Sequence, residues 1–343
     1  MKNLALCTLC ALFVSSSVFY DSHETTTGTL QFSIAARFGV QEAKTKDEEP
    51  YQFSSIMNLD CDNDGAIYVL DYKEACVKVF DINGRFLRKM FTSGQGPQEL
   101  SAPYRLRVNR FSGNLFVVQE HGFQIKEFDV NGNYVKTHIP PEQILYDFNF
   151  YDEVHAVFIV KILKERNFCN LVLYNLKTSK IEKEFASFDI PGMSRGYQKF
   201  VIKDDLLWTC PGDRMELVGF DMKTGKETAN IPIPEKGRES EMLRGENWQA
   251  VRIYNFGQPL LIDAKLYVCL TKQQFPPPRA DWPTHPTSRE IILYALEKGR
   301  LRKILDFPKY GFFIDFNTTW QNRLIISSSG YDLFPQVLVL KLL

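Results

Sequence analysis

The side chains that most often carry catalysis are few and scattered in this sequence. Its 343 residues contain five histidines. His121, His138, His155 and His285 form no H-x-x-x-H pair of the kind that holds zinc, and His23 lies near the N-terminus. Cys61, Cys76, Cys169, Cys210 and Cys269 lie in or beside strand-like runs, with no C-x-x-C spacing among them. Buried free thiols are expected, and a bridge between Cys210 and Cys269 stays open as an alternative.

A tyrosine is what recurs. Tyr51, Tyr104, Tyr146, Tyr197, Tyr254 and Tyr310 each stand two or three positions before an apolar residue, and Arg105, Asp147 and Asn255 follow three of them directly. Flat aromatic faces beside amide, carboxylate and guanidinium groups suit a sugar ring or an extended peptide. The same tyrosines equally suit packing between repeated units, with each hydroxyl bonded to backbone. A second candidate is the insertion QQFPPPRADWPTHPTS between Lys272 and Arg289, which carries Arg279 and Trp282. Its proline density stiffens it, and loops longer than about 12–15 residues are commonly either functional or disordered. A lid, a partner-binding arm and an inert insertion are the readings it allows. Asn58, Asp147, Asn149 and Asn255 offer oxygens to a structural Ca²⁺, or simply a polar lining to water. No other cofactor is expected.

The elements that must position these residues repeat. Val79-Phe80-Asp81-Ile82-Asn83-Gly84 returns as Glu127-Phe128-Asp129-Val130-Asn131-Gly132, then as Leu173–Thr178 and Gly219–Gly225. Steps of 48, 46 and 46 residues separate Phe80, Phe128, Tyr174 and Phe220. Further copies run from Leu293 to Gly299 and from Val337 to Leu340. Asn-Gly between alternating apolar runs predicts a two-residue hairpin, and four short strands per unit of about 40–50 residues predict a propeller blade. Units opening near 51, 104, 146, 197, 254 and 310 make six blades. The last unit ends after its third strand, so a strand at about 30–40 is expected to complete it and close the ring. The fold expected is therefore an all-β, six-bladed propeller with four antiparallel strands per blade.

Lys2, the apolar run Leu4–Val14 and Ser15–Ser17 have the form of a secretory signal over 1–22, which leaves 23–343 as the domain. A secreted or periplasmic location follows. Leu6 and Leu9 precede Cys7 and Cys10 where a lipid anchor prefers small residues, so an anchor is poorly supported but stays open. No second run reaches the ~20 apolar residues that a transmembrane helix needs. Forty-one basic residues balance forty-one acidic ones, which argues against a nucleic-acid partner. A monomer is expected, with a small carbohydrate, a peptide or another protein as its partner.

Asp64–Asp71, Val77–Asp81 and Gly94-Gln95-Gly96-Pro97 together resemble the NHL-like and TolB-like six-bladed β-propellers, in their extracytoplasmic bacterial branch. The resemblance implies the fold for residues from about 30 to 343 and leaves function open. A secreted binding or interaction module, working at one mouth of the channel through the tyrosines and the arm, is the principal expectation. The alternative is a lactonase-like lyase or hydrolase in which polar channel residues hold a metal.

Overall fold

The computed structural model describes residues 32–119, 122–139, 143–162, 168–189, 199–211, 214–234, 242–244, 249–251, 256–274, 288–307, 312–330 and 333–343. Residues 1–22, where a secretory signal is expected, lie outside them. After β1 (Phe32–Phe38) and a 3-10 turn at Glu49–Tyr51, blade 1 is β2–β5 (Ile56–Cys61, Ile67–Asp71, Cys76–Phe80, Phe86–Met90). A short parallel pair follows, β6 (Thr92–Ser93) and β7 (Glu99–Leu100). Blade 2 is β8–β11 (Arg105–Val108, Leu115–Gln119, Gln124–Phe128, Tyr134–His138). Blade 3 is β12–β15 (Gln143–Phe150, His155–Ile162, Phe168–Asn175, Lys180–Asp189). Blade 4 is β16–β19 (Phe200–Lys203, Leu206–Thr209, Glu216–Asp221, Glu227–Pro232), followed by a small hairpin of β20 (Met242–Arg244) and β21 (Gln249–Val251). Blade 5 is β22–β25 (Phe256–Ile262, Lys265–Gln274, Ser288–Glu297, Arg300–Phe307), and β26–β28 (Phe312–Trp320, Arg323–Gly330, Leu333–Leu342) begin blade 6. β1 completes blade 6 as its outer strand, in the order β1-β28-β27-β26. Among the described residues, no helix is long and apolar enough to cross a membrane.

The middle strands are mostly apolar because both faces of every blade are covered by its neighbours. In β3, Ile67 and Val69 enter the core between blades 6 and 1, while Tyr68 and Leu70 enter the core between blades 1 and 2. Six such clusters, one per blade junction, replace a single central core. Phe80 is fully buried and is ringed by Phe38, Tyr51, Phe53 and Phe86 at centroid distances of 4.6, 5.6, 5.8 and 5.6 Å. A buried aromatic of this kind contributes about 1.5–3 kcal/mol. Phe38 belongs to β1, so the closing strand is part of that core.

The hairpins differ from the expected two-residue turn. Only the glycine of each Asn-Gly pair has positive φ (84° at Gly84, 89° at Gly132), and pairing slips by one residue at Val79/Phe80 and at Glu127/Phe128. The controlling residue is the aspartate. Asp81 Oδ1 accepts the N–H groups of Asn83 and Arg85 at 3.0 and 2.9 Å, and Asp129 does the same for Asn131 and Asn133 at 2.9 and 2.8 Å. Asn175 and Asp221 hold the equivalent turns of blades 3 and 4. A side chain that already satisfies two turn amides favours a longer turn with a glycine bulge.

β1 pairs with β28 from Phe32↔Leu342 to Phe38↔Val337. Gly39 then turns away at φ 134°, where a Cβ would lie 2.7 Å from the Pro335 carbonyl oxygen, so only glycine fits. Deleting residues 30–40 removes this pairing and opens the Phe80 core. The deletion is expected to unfold or oligomerise the chain, whereas deletion of residues 1–22 leaves a cooperative melt and a monomeric elution volume. Size-exclusion chromatography with thermal denaturation checks both outcomes.

Candidate functional site

The first strand of each blade lies innermost. β26 packs on β2, β2 on β8, β8 on β12, β16 on β22 and β22 on β26, around a central channel. Each of these strands has its second strand on one side and an open edge on the other, and buried backbone groups along that edge need partners. Side chains of the neighbouring blade supply them. Asn58 Oδ1 accepts the Leu106 N–H at 2.9 Å, and Asp60 Oδ2 accepts the Val108 N–H at 3.1 Å. One blade further on the polarity reverses. Arg105 Nε donates to the Tyr146 carbonyl at 3.3 Å, and Arg107 Nε to the Phe148 carbonyl at 3.0 Å. The Thr319 hydroxyl of β26 donates to the Leu261 carbonyl of β22. A spacing of two puts both side chains of each pair on the same face, turned towards the next blade.

Arg107 also donates through Nη2 to both carboxylate oxygens of Asp147, at 3.0 and 3.1 Å. Both residues are buried. Arg110 joins three blades: Nε donates to the Cys61 carbonyl at 3.2 Å, and Nη2 to the Thr319 carbonyl at 2.9 Å. It also lies 3.8 Å from Asp60 Oδ1.

Where the innermost strands run into their second strands, the channel holds a cavity of about 250 Å³. Every innermost strand contributes to its wall: Asp60 from β2, Arg107 from β8, Asn149 and Phe150 from β12, Phe200–Ile202 from β16, Pro259–Leu261 from β22, and Thr318 and Thr319 from β26. Lys199 and Arg110, just outside β16 and β8, complete the polar part. Cys61 lies behind this wall. Burial pushes its thiol up to about 12 despite the nearby Arg110, so it stays protonated and is a poor nucleophile. Cys76 is likewise pushed up to about 12 by burial. All five cysteines described are free and buried, so Cys210 and Cys269 form no bridge. Among the described residues, no group of three or more His, Cys, Asp or Glu side chains is arranged to hold a metal.

Four of the residues singled out from the sequence come together at the junction of blades 2 and 3. The Tyr104 hydroxyl donates to the Leu145 carbonyl, and burial raises its pKa above the usual tyrosine range. Arg105, Tyr146 and Asp147 are its neighbours through the bonds described above. Tyr51 stands apart: its ring packs on Phe80 and its hydroxyl accepts the Phe86 N–H at 3.1 Å. Both hydroxyls are thus bonded to backbone. Tyr197, Tyr254, Asn255, Tyr310, Arg279 and Trp282 lie outside the described residues, as does most of the chain that enters the innermost strands of blades 3 to 6. Asp60, Arg107, Arg110, Lys199, Thr318 and Thr319 were not anticipated. The alternating polar pairs Asn58-Leu59-Asp60 and Arg105-Leu106-Arg107, set in otherwise apolar strands, were the available signal.

The DUF5128 family, described as a 6-bladed beta-propeller, matches residues 21–197, just over half of the chain. No curated protein matches the chain in sequence. A member of the DUF4221 family from Bacteroides vulgatus is similar in structure, with a TM-score of 0.65 and 13% identity over 93% of this chain and 99% of that one. A "Putative exported protein" from Bacteroides fragilis has a TM-score of 0.62 and 10% identity over 91% and 95%. At these identities the likeness is one of fold.

The Arg107–Asp147 pair yields a prediction about stability. Arg107→Leu leaves Asp147 buried without its cation and is expected to cost about 3–5 kcal/mol, while adding Asp147→Leu recovers a large part of the loss. Urea unfolding of the two single variants and the double variant measures this coupling. Strictly additive losses would show that the pair does not act as a unit.

Proposed function

The chain belongs to the DUF5128 family of six-bladed β-propellers, and on that premise we propose that it is an extracytoplasmic binding module whose small ligand sits in the central channel. The observation that carries this reading is the cavity of about 250 Å³, to which all six innermost strands contribute and whose wall mixes polar, aromatic and aliphatic side chains. Concave sites with apolar walls and a few convergent polar groups are the usual form of small-molecule sites. A sugar ring or the end of a peptide has the right size and mixed character. Phe150 and Phe200 offer faces to it, and Asn149 offers an amide.

The export part of the reading is supported by Lys2 and the apolar run Leu4–Val14, and by the fold shared with the Bacteroides fragilis protein described as exported. The likeness of Asp64–Asp71 and Gly94–Pro97 to NHL-like and TolB-like propellers agrees with it. The site proposed is displaced from the tyrosine positions, because the hydroxyls of Tyr51 and Tyr104 are already engaged within the fold.

A glycan and peptide binding screen on the wild type, Asn149→Ala and Trp282→Ala tests the reading. Asn149→Ala is expected to weaken the ligand found by about ten-fold, the worth of one good hydrogen bond. Trp282→Ala is expected to leave it unchanged. The opposite pattern would move the site to the blade 5 insertion, and insensitivity to both would remove it from the channel.

A further inference from the structure

Phe111 lines the channel cavity and is still 60% exposed, so its ring stands at the rim, between the cavity and bulk water. A single exposed aromatic residue needs no explanation where nothing adjoins it. This one adjoins the proposed site, and its backbone is fixed from three other blades. It sits in the turn joining β8 to β9, which is built on the fully buried Asn109. Asn109 Oδ1 accepts the Phe111 N–H at 3.0 Å, and Nδ2 donates to the Glu153 carbonyl of blade 3 at 3.4 Å. The Gly113 N–H closes the turn onto the Asn109 carbonyl at 2.7 Å. On the other side the Arg110 carbonyl accepts from Asn63 Nδ2 of blade 1 at 2.7 Å, and the Arg110 guanidinium donates to the Thr319 carbonyl of blade 6. An apolar ring on a backbone held in this way gives up little further freedom when a partner covers it.

The cavity and its rim make different demands on a ligand. At about 250 Å³ the cavity has room for one ring, since drug-sized ligands occupy about 300–1,000 Å³. A ligand that also covers Phe111 must continue past the mouth. An extended peptide would be held chiefly by main-chain bonds to an open strand edge. The edges beside the cavity are already taken: the Val108 amide by Asp60, and the Phe148 and Leu261 carbonyls by Arg107 and Thr319. A sugar needs no such edge. Its ring faces carry C–H groups whose partial positive charge suits the negative face of an aromatic ring, and each of its hydroxyls can both donate and accept.

We propose that Phe111 is a second binding position of the channel site: the end ring of an oligosaccharide enters the cavity, and the next ring lies on the Phe111 face. This rests on the proposed channel site and adds the class of ligand and its minimum length. It also sets the direction of entry. Tyr104 stands just before β8 and Phe111 beyond its end, so the ligand arrives at the mouth opposite to the one that the tyrosines mark.

Calorimetry on the full chain compares glucose with maltose and cellobiose, and N-acetylglucosamine with chitobiose, with N-acetyl-Phe-Ala as a peptide probe. At least one disaccharide is expected to bind about ten-fold more tightly than its monosaccharide, the upper end of what one aromatic contact adds. Phe111→Ala is expected to bring that disaccharide down to the affinity of the monosaccharide. The monosaccharide and the melting temperature should not change, because the ring is largely exposed. Phe111→Tyr, which keeps the flat face, is expected to retain the preference, and Asn149→Ala to weaken both sugars alike. Equal binding of mono- and disaccharide, sensitive to Asn149→Ala, would overturn the rim position and leave the channel site standing. A disaccharide preference that neither Phe111→Ala nor Asn149→Ala alters would overturn both. Failure of every sugar to bind at millimolar concentration would overturn the oligosaccharide assignment, and binding of the peptide alone, weakened by Asn149→Ala, would do so while leaving the channel site in place.

Discussion

A propeller blade begins with a strand that has a neighbour on one side only, and six such strands meet around the axis of this molecule. Their inward edges carry backbone amides and carbonyls in a space too narrow and too buried for bulk water to satisfy them all. The structure answers with side chains reaching from blade to blade. Asn58 and Asp60 accept the amides of β8, while Arg105 and Arg107 donate to the carbonyls of β12. An acceptor pair followed by a donor pair lets one strand serve both of its neighbours in the ring. The apolar clusters between blades supply most of the burial, and these bonds tie blade 1 to blade 2 and blade 2 to blade 3.

The same constraint shapes the cavity. Asp60, Thr318 and Arg110 face the channel, yet Asp60 and Thr318 have their acceptor oxygens committed to neighbouring strands.

Much of the architecture could be read from the residues, because the physics that sets it is local. β3 is apolar from Ile67 to Leu70 since neighbours cover both its faces, and the six tyrosines that open the units, with the six looser copies of the Val79–Gly84 hairpin, give the blade count. The turn type was misread at one point. Asn83-Gly84 suggests a two-residue hairpin until the Asp81 side chain is seen to hold two turn amides, which the dipeptide alone does not reveal. The site was harder because its bonds join residues far apart in the chain. The Tyr104 hydroxyl finds its partner at Leu145 and Arg110 finds one at Thr319, 41 and 209 residues away. A repeated tyrosine looks alike whether it packs or binds, and only the register between blades separates the two. The alternation in Asn58-Leu59-Asp60 and Arg105-Leu106-Arg107 was visible, but its purpose depends on the strand that each pair faces.

The central claim is that side chains of one blade close the open edge of the next. Native-state hydrogen exchange of the Leu106 and Val108 amides tests it most directly. Both are expected to exchange only through global unfolding, as amides of paired core strands do, with Asn58→Ala releasing Leu106 selectively and leaving Val108 protected. Exchange of both amides in the wild type at the rate of exposed loop amides would contradict the account.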